Sequence, residues 1–550
     1  MMGGTGTRTR GRTLPAGTGA RTHERTGART RARTAAVARG FLLCVCCVCA
    51  SVRPASAQCP DGTPAPCGSL APRGVAGPTT TSLAVLYFET RDTADAYLAD
   101  GLTEEITTSL GALARLQVKS PSAVRRVQRA NSGDLRAIGR GLRVFWLVEG
   151  TIRRAEGQLR VSVRLVNAAN ETSTWSTAFS RSVSDILAIE EDIARDVASN
   201  VAGVLTPAER KGLAARPTGN PDAYDHLLRG NFFLAQRTPA AARRAIAEYH
   251  AAASRDSSFA RAFGHIGLAY AVALDWGWPF PGLSDDSLLA LGTAAADHAL
   301  QVDSQSTDGW LARAMLRSFL YPATFDGVLP ALERATALDP RNAEAHHIYG
   351  VMLNTMGREQ EAAAEFRRAL DLDPLRAITW DNLAWLRRYQ HRPEETARCA
   401  DSGLAADPQA YYLYADRANF RLSWGDVSGA QADADSAGRM SPADYVSYAQ
   451  PVLAALDAVR GDTVAARARL DRIVARLPDP AHANYLTAWG VAVASLRMGD
   501  RDRALAILEG ARPRGLRLWF LTRDPGFDVI RDTPRFRALV EQNRPPWADR

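Results

Sequence analysis

Leu338-Asp-Pro340, Leu372-Asp-Pro374, Ala406-Asp-Pro408 and Met440-Ser-Pro442 place four prolines at intervals of 34, 34 and 34 residues, and this ladder decides the fold. Between its first two rungs lies Ala343-Glu-Ala-His-His-Ile-Tyr-Gly350, followed by Ala362, Phe366 and Ala369. With Ala343 as position 1, Gly350 falls at 8, Ala362 at 20, Phe366 at 24, Ala369 at 27 and Pro374 at 32. Small residues at 8 and 20 let two helices touch. Phe366 fills the gap to a neighbouring unit, Ala369 admits the next helix, and Pro374 stops the second helix because it has no N–H to continue the ladder. The period therefore describes a stack of helix pairs.

These five positions resemble the tetratricopeptide repeat. The adjoining units keep parts of the pattern: Leu332, Ala335 and Pro340 in 309–342, Trp380, Leu383 and Ala384 in 377–410, Tyr414, Ala418 and Ala430 in 411–444. Weaker units extend the array to 222–510, about eight in all, with an insertion Trp276-Gly-Trp-Pro-Phe-Pro-Gly282 that reads either as a ligand-stacking loop or as an apolar elbow. Residues 511–550 lose the pattern and read as a capping segment, which a solenoid needs over its last apolar face. The resemblance implies a concave groove for a protein or peptide partner, lined from positions 2, 5, 9 and 12 or 13. That frame selects Arg313, Arg317, His347, Asn354, Trp385, Arg388 and Asn419, a set suited to a carboxylate or peptide backbone. The competing reading is an ordinary solvated face. If the groove is real, changing Arg313 and Arg388 together to Ala weakens a partner and spares the melting temperature.

Upstream the pattern changes. Ser82–Phe88 is an apolar run of strand length, Ala96–Leu116 has helical period, and Leu116–Val118 reads as a second strand. Ser122–Arg129 and Asp134–Gly141 read as short helices, and Val144–Ile152 as a third strand. Leu159–Val166 alternates strictly, with Leu159, Val161, Val163 and Leu165 on one face. Thr172–Phe179 and a helix from Asp185 to Leu205 complete the unit, and Thr206–Pro221 reads as a linker. The predicted fold class is thus an α+β N-terminal domain followed by an all-α tetratricopeptide-repeat solenoid, the two folding separately. Phe88-Glu89, Leu98-Ala-Asp-Gly-Leu-Thr-Glu-Glu-Ile106, Val148-Glu-Gly-Thr-Ile-Arg-Arg154, Leu165-Val166 and Trp175 resemble the TolB amino-terminal-like domain, placed at 81–205. That resemblance implies an α/β module without catalytic activity, used in envelope or regulatory proteins. Asp100, Glu104 and Glu105 are read as acids of the first helical turns that complement the macrodipole, not as a catalytic pair.

The net charge of +8 is confined to the N-terminus: residues 1–57 carry ten Arg and one Glu, leaving the rest at −1. Only Lys119 and Lys211 are lysines. A folded part near neutrality has no global pull on phosphate, so nucleic acid is not an expected partner. Residues 1–57 read as a disordered basic leader and signal peptide, with the apolar stretch Phe41–Val52 and the site Ala55-Ser-Ala57. A start at Val37 would leave a compact signal. The expectation is export to the periplasm or beyond, with cleavage after Ala57, or retention at the inner membrane by the uncleaved segment. In the 58–80 linker, Cys59 and Cys67 form a disulfide or remain two thiols, and Cys399 reads as core.

No G-x-S-x-G elbow or G-x-x-x-x-G-K-[ST] loop occurs, and His346-His347 point to different faces of one helix. Catalytic, cofactor and metal residues are therefore not expected. The sequence favours a non-enzymatic binding scaffold of the bacterial envelope or secreted space. The alternative is a signalling or ligand-sensing protein whose α/β domain binds a small molecule.

Overall fold

A computed structural model describes residues 78–155, 157–320, 327–441, 449–477, 483–512 and 516–546. The basic leader, the signal segment, Cys59 and Cys67 lie outside the described residues.

The first unit is one mixed sheet. Strands β1 (Ser82–Val85), β2 (Glu89–Thr90), β3 (Gln117–Val118), β4 (Trp146–Ala155), β5 (Gln158–Asn167) and β6 (Ser173–Ser182) run in the order β3-β1-β4-β5-β6, with β2 pairing β4 beside β1. Pairing is parallel among β1, β2, β3 and β4 and antiparallel from β4 to β6. Helices α1 (Ala96–Gly111) and α4 (Ile186–Ala202) cover one face, against Leu159, Val161, Val163 and Leu165, the alternating set read from sequence. Helices α2 (Pro121–Ala130) and α3 (Leu135–Leu142) cover Ala84, Leu86 and Leu147 on the other. Ser120 and Asp134 cap them, each accepting from the backbone N–H three residues on.

Two expectations for this unit need correction. Thr206–Pro221 is not a featureless linker: it holds α5 (Pro207–Leu213), closed by a reciprocal cap between Thr206 and Glu209. Pro207 stands at the first helical position, where the missing N–H costs nothing. Arg115 then ties Glu209 and the carbonyls of Ala202 and Val204 together. The acids of α1 sit in its second and third turns, beyond the first-turn dipole, and are held by partners: Asp100 and Glu104 by Arg125, Glu105 by Arg261.

The rest is an all-α solenoid of eight helix pairs among the described residues. They are α6–α7 (Pro221–Leu234, Pro239–Arg255), α8–α9 (Ala260–Trp276, Asp285–Val302), α10–α11 (Thr307–Arg317, Val328–Leu338) and α12–α13 (Ala343–Thr355, Glu359–Leu372). Then come α14–α15 (Ala377–Tyr389, Pro393–Ala406), α16–α17 (Tyr411–Ser423, Val427–Met440), α18–α19 (Ala449–Val459, Thr463–Ala475) and α20–α21 (Tyr485–Arg497, Arg501–Glu509). Gly350 is required where α12 meets α13, since a Cβ there would stand 2.6 Å from the Phe366 ring. Helices α22 (Leu516–Leu521) and α23 (Pro534–Asn543) form the tail.

The sheet domain and the array share a core. One apolar cluster runs from Leu83 and Val163 through Ile193, Tyr224 and Leu228 to Met352, so the boundary at 206–221 is not a break in packing. The array also curls back on itself. Trp276, at the end of α8, meets Tyr412 of α16 with ring centroids 5.2 Å apart. Tyr485 of α20 donates to Asp275 at 2.9 Å. Trp276 and Trp278 are buried, which makes the insertion an apolar elbow; Trp276 also faces the enclosed space described next. Cys399 is buried as read, its thiol pushed up to about 11 by burial.

Candidate functional site

Closing the curl leaves a cavity of about 110 Å³ on the concave side. Its wall comes from distant parts of the chain: Asn354 of α12, Asp381, Trp385 and Tyr389 of α14, Asp416 and Asn419 of α16, Tyr485 and Trp489 of α20, and Arg517 and Phe520 of α22. Aromatic rings interlock around it. Trp385 and Trp489 meet edge to face at 5.1 Å, and Tyr389 meets Phe520 in the same way at 4.7 Å.

Among the described residues of this wall five polar atoms have no hydrogen-bond partner: Asn354 Oδ1, Asp381 Oδ1, the Tyr389 hydroxyl, Trp489 Nε1 and Arg517 Nε. Their residues are 3, 6, 7, 7 and 4% exposed. Burying a polar atom unpaired costs about 1–3 kcal/mol each, so native proteins hold few of them and seldom together.

Asp381 and Asp416 share a hydrogen bond. Burial raises both carboxyls. Asp381 is also raised by Asp416, while Asp416, with Trp385 Nε1 donating to it at 3.1 Å, is pushed up to about 7. The pair therefore holds a proton into the neutral range. Arg517 is engaged elsewhere, with Asp275 at 2.9 Å and the Ser318 hydroxyl at 3.2 Å.

Asp416 titrates near 3.8 in its ordinary state and near 7 when folded. Its contribution is complete below the ordinary value and is lost as pH rises through the folded one. The double variant Asp381→Asn/Asp416→Asn should gain on wild type between pH 5 and pH 8, on the order of 2–4 kcal/mol at pH 8. Urea midpoints at both pH values measure this, and a difference independent of pH would show that the carboxyls are not buried together.

The residues selected from sequence scatter. Asn354, Trp385 and Asn419 do line the cavity. Arg388 does not face water: it is 7% exposed and holds the fully buried Asp524 through Nε at 2.9 Å and Nη2 at 3.0 Å. His347 is buried beside Phe366 and bonded to the Thr379 hydroxyl at 3.0 Å, and burial pushes its ring down to about 3. It is neutral and belongs to the packing between repeats. Its neighbour His346 pairs with Glu365 at 2.6 Å. Arg313 pairs with Asp297 of α9, and Arg317 is exposed at the end of α10.

The frame is displaced at the two Arg positions. The N-caps of α10 and α12, Ser306 and Asn342, are 36 residues apart, while the C-caps of α11 and α13, Asp339 and Asp373, keep the 34-residue spacing. The start of α10 thus lies two residues further from the end of α11 than the equivalent points of α12 and α13, so the inward positions of α10 fall two residues earlier than the ladder implies.

Among the described residues no group of three or more His, Cys, Asp or Glu is placed to hold a metal ion. No helix of the described residues is long and apolar enough to cross a membrane.

No family model matches the chain. A curated protein of Rhizobium meliloti (strain 1021), named "Putative adenylate cyclase 3", is 29% identical over 246 residues, 44% of this chain. The chain spans about 41% of the length of that relative. Among solved structures, yeast Tom70 is similar over 65% of this chain and 82% of its own, at 14% identity and a TM-score of 0.37. PilF of Pseudomonas aeruginosa is similar over 41% of this chain and 94% of its own, at 19% identity and a TM-score of 0.31. A thermophilic tetratricopeptide protein of Thermus thermophilus, TTC0263, is similar over 36% of this chain and 99% of its own, at 18% identity and a TM-score of 0.31.

Proposed function

We propose that this chain is a non-enzymatic recognition scaffold that takes a small ligand, or one side chain of a partner, into the cavity of its helical array. The observation that carries this reading is the set of unpartnered polar atoms on one aromatic wall. Such a wall is finished by a ligand that supplies the missing partners. A cavity of about 110 Å³ holds only a handful of heavy atoms, since roughly 150 Å³ admits benzene. An extended peptide along an open groove does not suit this geometry, because the tail and α20 occupy the concave side.

In this reading the sheet domain is a docking or regulatory module of the TolB amino-terminal-like kind. The protein acts in the envelope or secreted space, as the composition of residues 1–57 suggests. The name of the Rhizobium relative favours a sensing role, in which ligand capture stiffens the curl and the sheet domain reports it to a partner.

A thermal-shift screen of amines, amino acids, nucleotides and tripeptides against the full chain tests the reading. Ligands of the cavity should raise the melting temperature of wild type and move Asn354→Leu, which removes the lining amide at nearly constant side-chain size, much less. If no compound separates the two proteins, the cavity is not a binding site.

A further inference from the structure

Resting on that reading, we propose that the cavity is a receptor for a small organic cation: an alkylammonium group of about five heavy atoms seated between the Asp381–Asp416 carboxyls and the surrounding indole and phenol rings.

Charge bookkeeping around the cavity singles out these two acids. On α8, Asp275 is neutralised by Arg517 of α22 and also accepts from Tyr485 of α20. On α14, Arg388 is neutralised by Asp524 of the tail. Tyr389 of α14 lines the space and Tyr412 of α16 lies near Asp381, both phenols held protonated by burial. Asn354 of α12 is neutral. Asp381 and Asp416 have no ion-pair partner among the described residues and are only 6 and 2% exposed. Two buried carboxyls without a base share one proton because they cannot both ionise. A bound ammonium supplies the missing charge and donors for Asp381 Oδ1 and Asn354 Oδ1, the acceptors that lack partners.

The walls suit a cation as well. Ring faces attract positive charge, and clustered aromatic rings are how quaternary and alkylated amines are recognised. An anion is disfavoured because the charge of Arg517, the single basic side chain among the lining residues, is already neutralised by Asp275 through Nη1, which leaves only its Nε without a partner, while two buried carboxyls face the same space. A divalent metal is disfavoured because two carboxyls surrounded by rings offer too few oxygens for a hard cation. The cavity fits n-butylammonium, and the same group could arrive free or on a lysine side chain.

Cation binding should be linked to protons. The ammonium favours the ionised pair and lowers its pKa, so binding releases up to one proton and tightens as pH rises from 6 to 8. No covalent step is involved.

Calorimetric titration of the full chain tests this with n-butylammonium chloride, n-butanol, sodium butyrate and the tripeptide Gly-Lys-Gly, at pH 6 and 8 in two buffers of different ionisation heat. The expected result is binding of n-butylammonium with proton release, stronger at pH 8, at least tenfold tighter than n-butanol, and weakened at least tenfold by Asp381→Asn. Asp416→Asn, with its own melting curve, guards against a variant that fails to fold. Tighter binding of Gly-Lys-Gly than of n-butylammonium assigns the cation to a partner's lysine; the reverse assigns it to a free amine. If n-butanol or butyrate binds as well as n-butylammonium, and Asn354→Leu abolishes it, the cavity is a ligand site but the cation inference is overturned. If Asp381→Asn leaves n-butylammonium binding unchanged, the inference is overturned too. If no probe binds wild type, the inference falls, and the wider screen decides separately whether the cavity binds anything.

Discussion

Replacing Arg388 with Ala should lower the unfolding free energy by about 3–5 kcal/mol, the cost of leaving a buried charge without its partner. The charge in question is Asp524, which is 0% exposed and receives two parallel N–H donors from Arg388, at 2.9 and 3.0 Å. The same guanidinium donates to the Ser423 hydroxyl at 3.0 Å and lies 5.5 Å over the Phe420 ring. Asp524 in turn accepts from Gly526 N–H and caps the short helical segment that seats Phe527. Losing Arg388 therefore loosens the tail that closes one side of the cavity. The pair itself need not be stabilising, because desolvation offsets much of its attraction. The double variant Arg388→Met/Asp524→Asn should recover most of the loss. Guanidinium denaturation of the three proteins measures this. A loss below about 1 kcal/mol for Arg388→Ala, the size seen for exposed pairs, would mean that the tail is not seated on α14 in solution.

This reverses the sequence expectation that Arg388 faces water, and the reason is physical. A repeat frame reads local periodicity. It placed the helix pairs, the Gly350–Phe366 contact and the buried face of β5, because each depends on residues within one unit. The occupants of the concave side depend on curvature summed over many repeats, and Asp524 lies 136 residues beyond Arg388. The site was partly within reach. Asp381 stands at position 5 of the 377–410 unit, inside the groove frame, but an acid does not suit a groove read as taking a carboxylate. Asp416 stands at position 6, just off that frame, so the partner that makes Asp381 unusual was not visible. Tyr485, Trp489 and Arg517 arrive through the closing of the curl, for which the sequence carries no period.

The seam between the sheet domain and the array should be as sensitive as the tail. Arg261 of α8 reaches across to Glu105 of α1, donating from Nη1 at 2.9 Å and also from Nη2. Glu105 is 8% exposed. Beside it Glu190 of α4, raised to about 8 by burial and by Glu105, accepts from the Tyr224 hydroxyl of α6 at 2.5 Å. Asp308 of α10 lies 4.0 Å from Arg261 on the far side. One arginine thus neutralises a cluster of carboxyls at the centre of the seam, and Arg261→Met should cost about 3–5 kcal/mol at pH 8. The loss should shrink toward pH 5. Arg261 also draws the raised Glu190 carboxyl down, so without the arginine Glu190 keeps its proton to higher pH and stability returns as pH falls through that raised value. Calorimetry adds a second readout. Wild type, whose apolar core runs from the sheet through α12, should melt in one transition. Arg261→Met should split it, with the sheet domain unfolding first. Two separated transitions in wild type, or a pH-independent loss in the variant, would restore the picture of two domains joined by a passive linker.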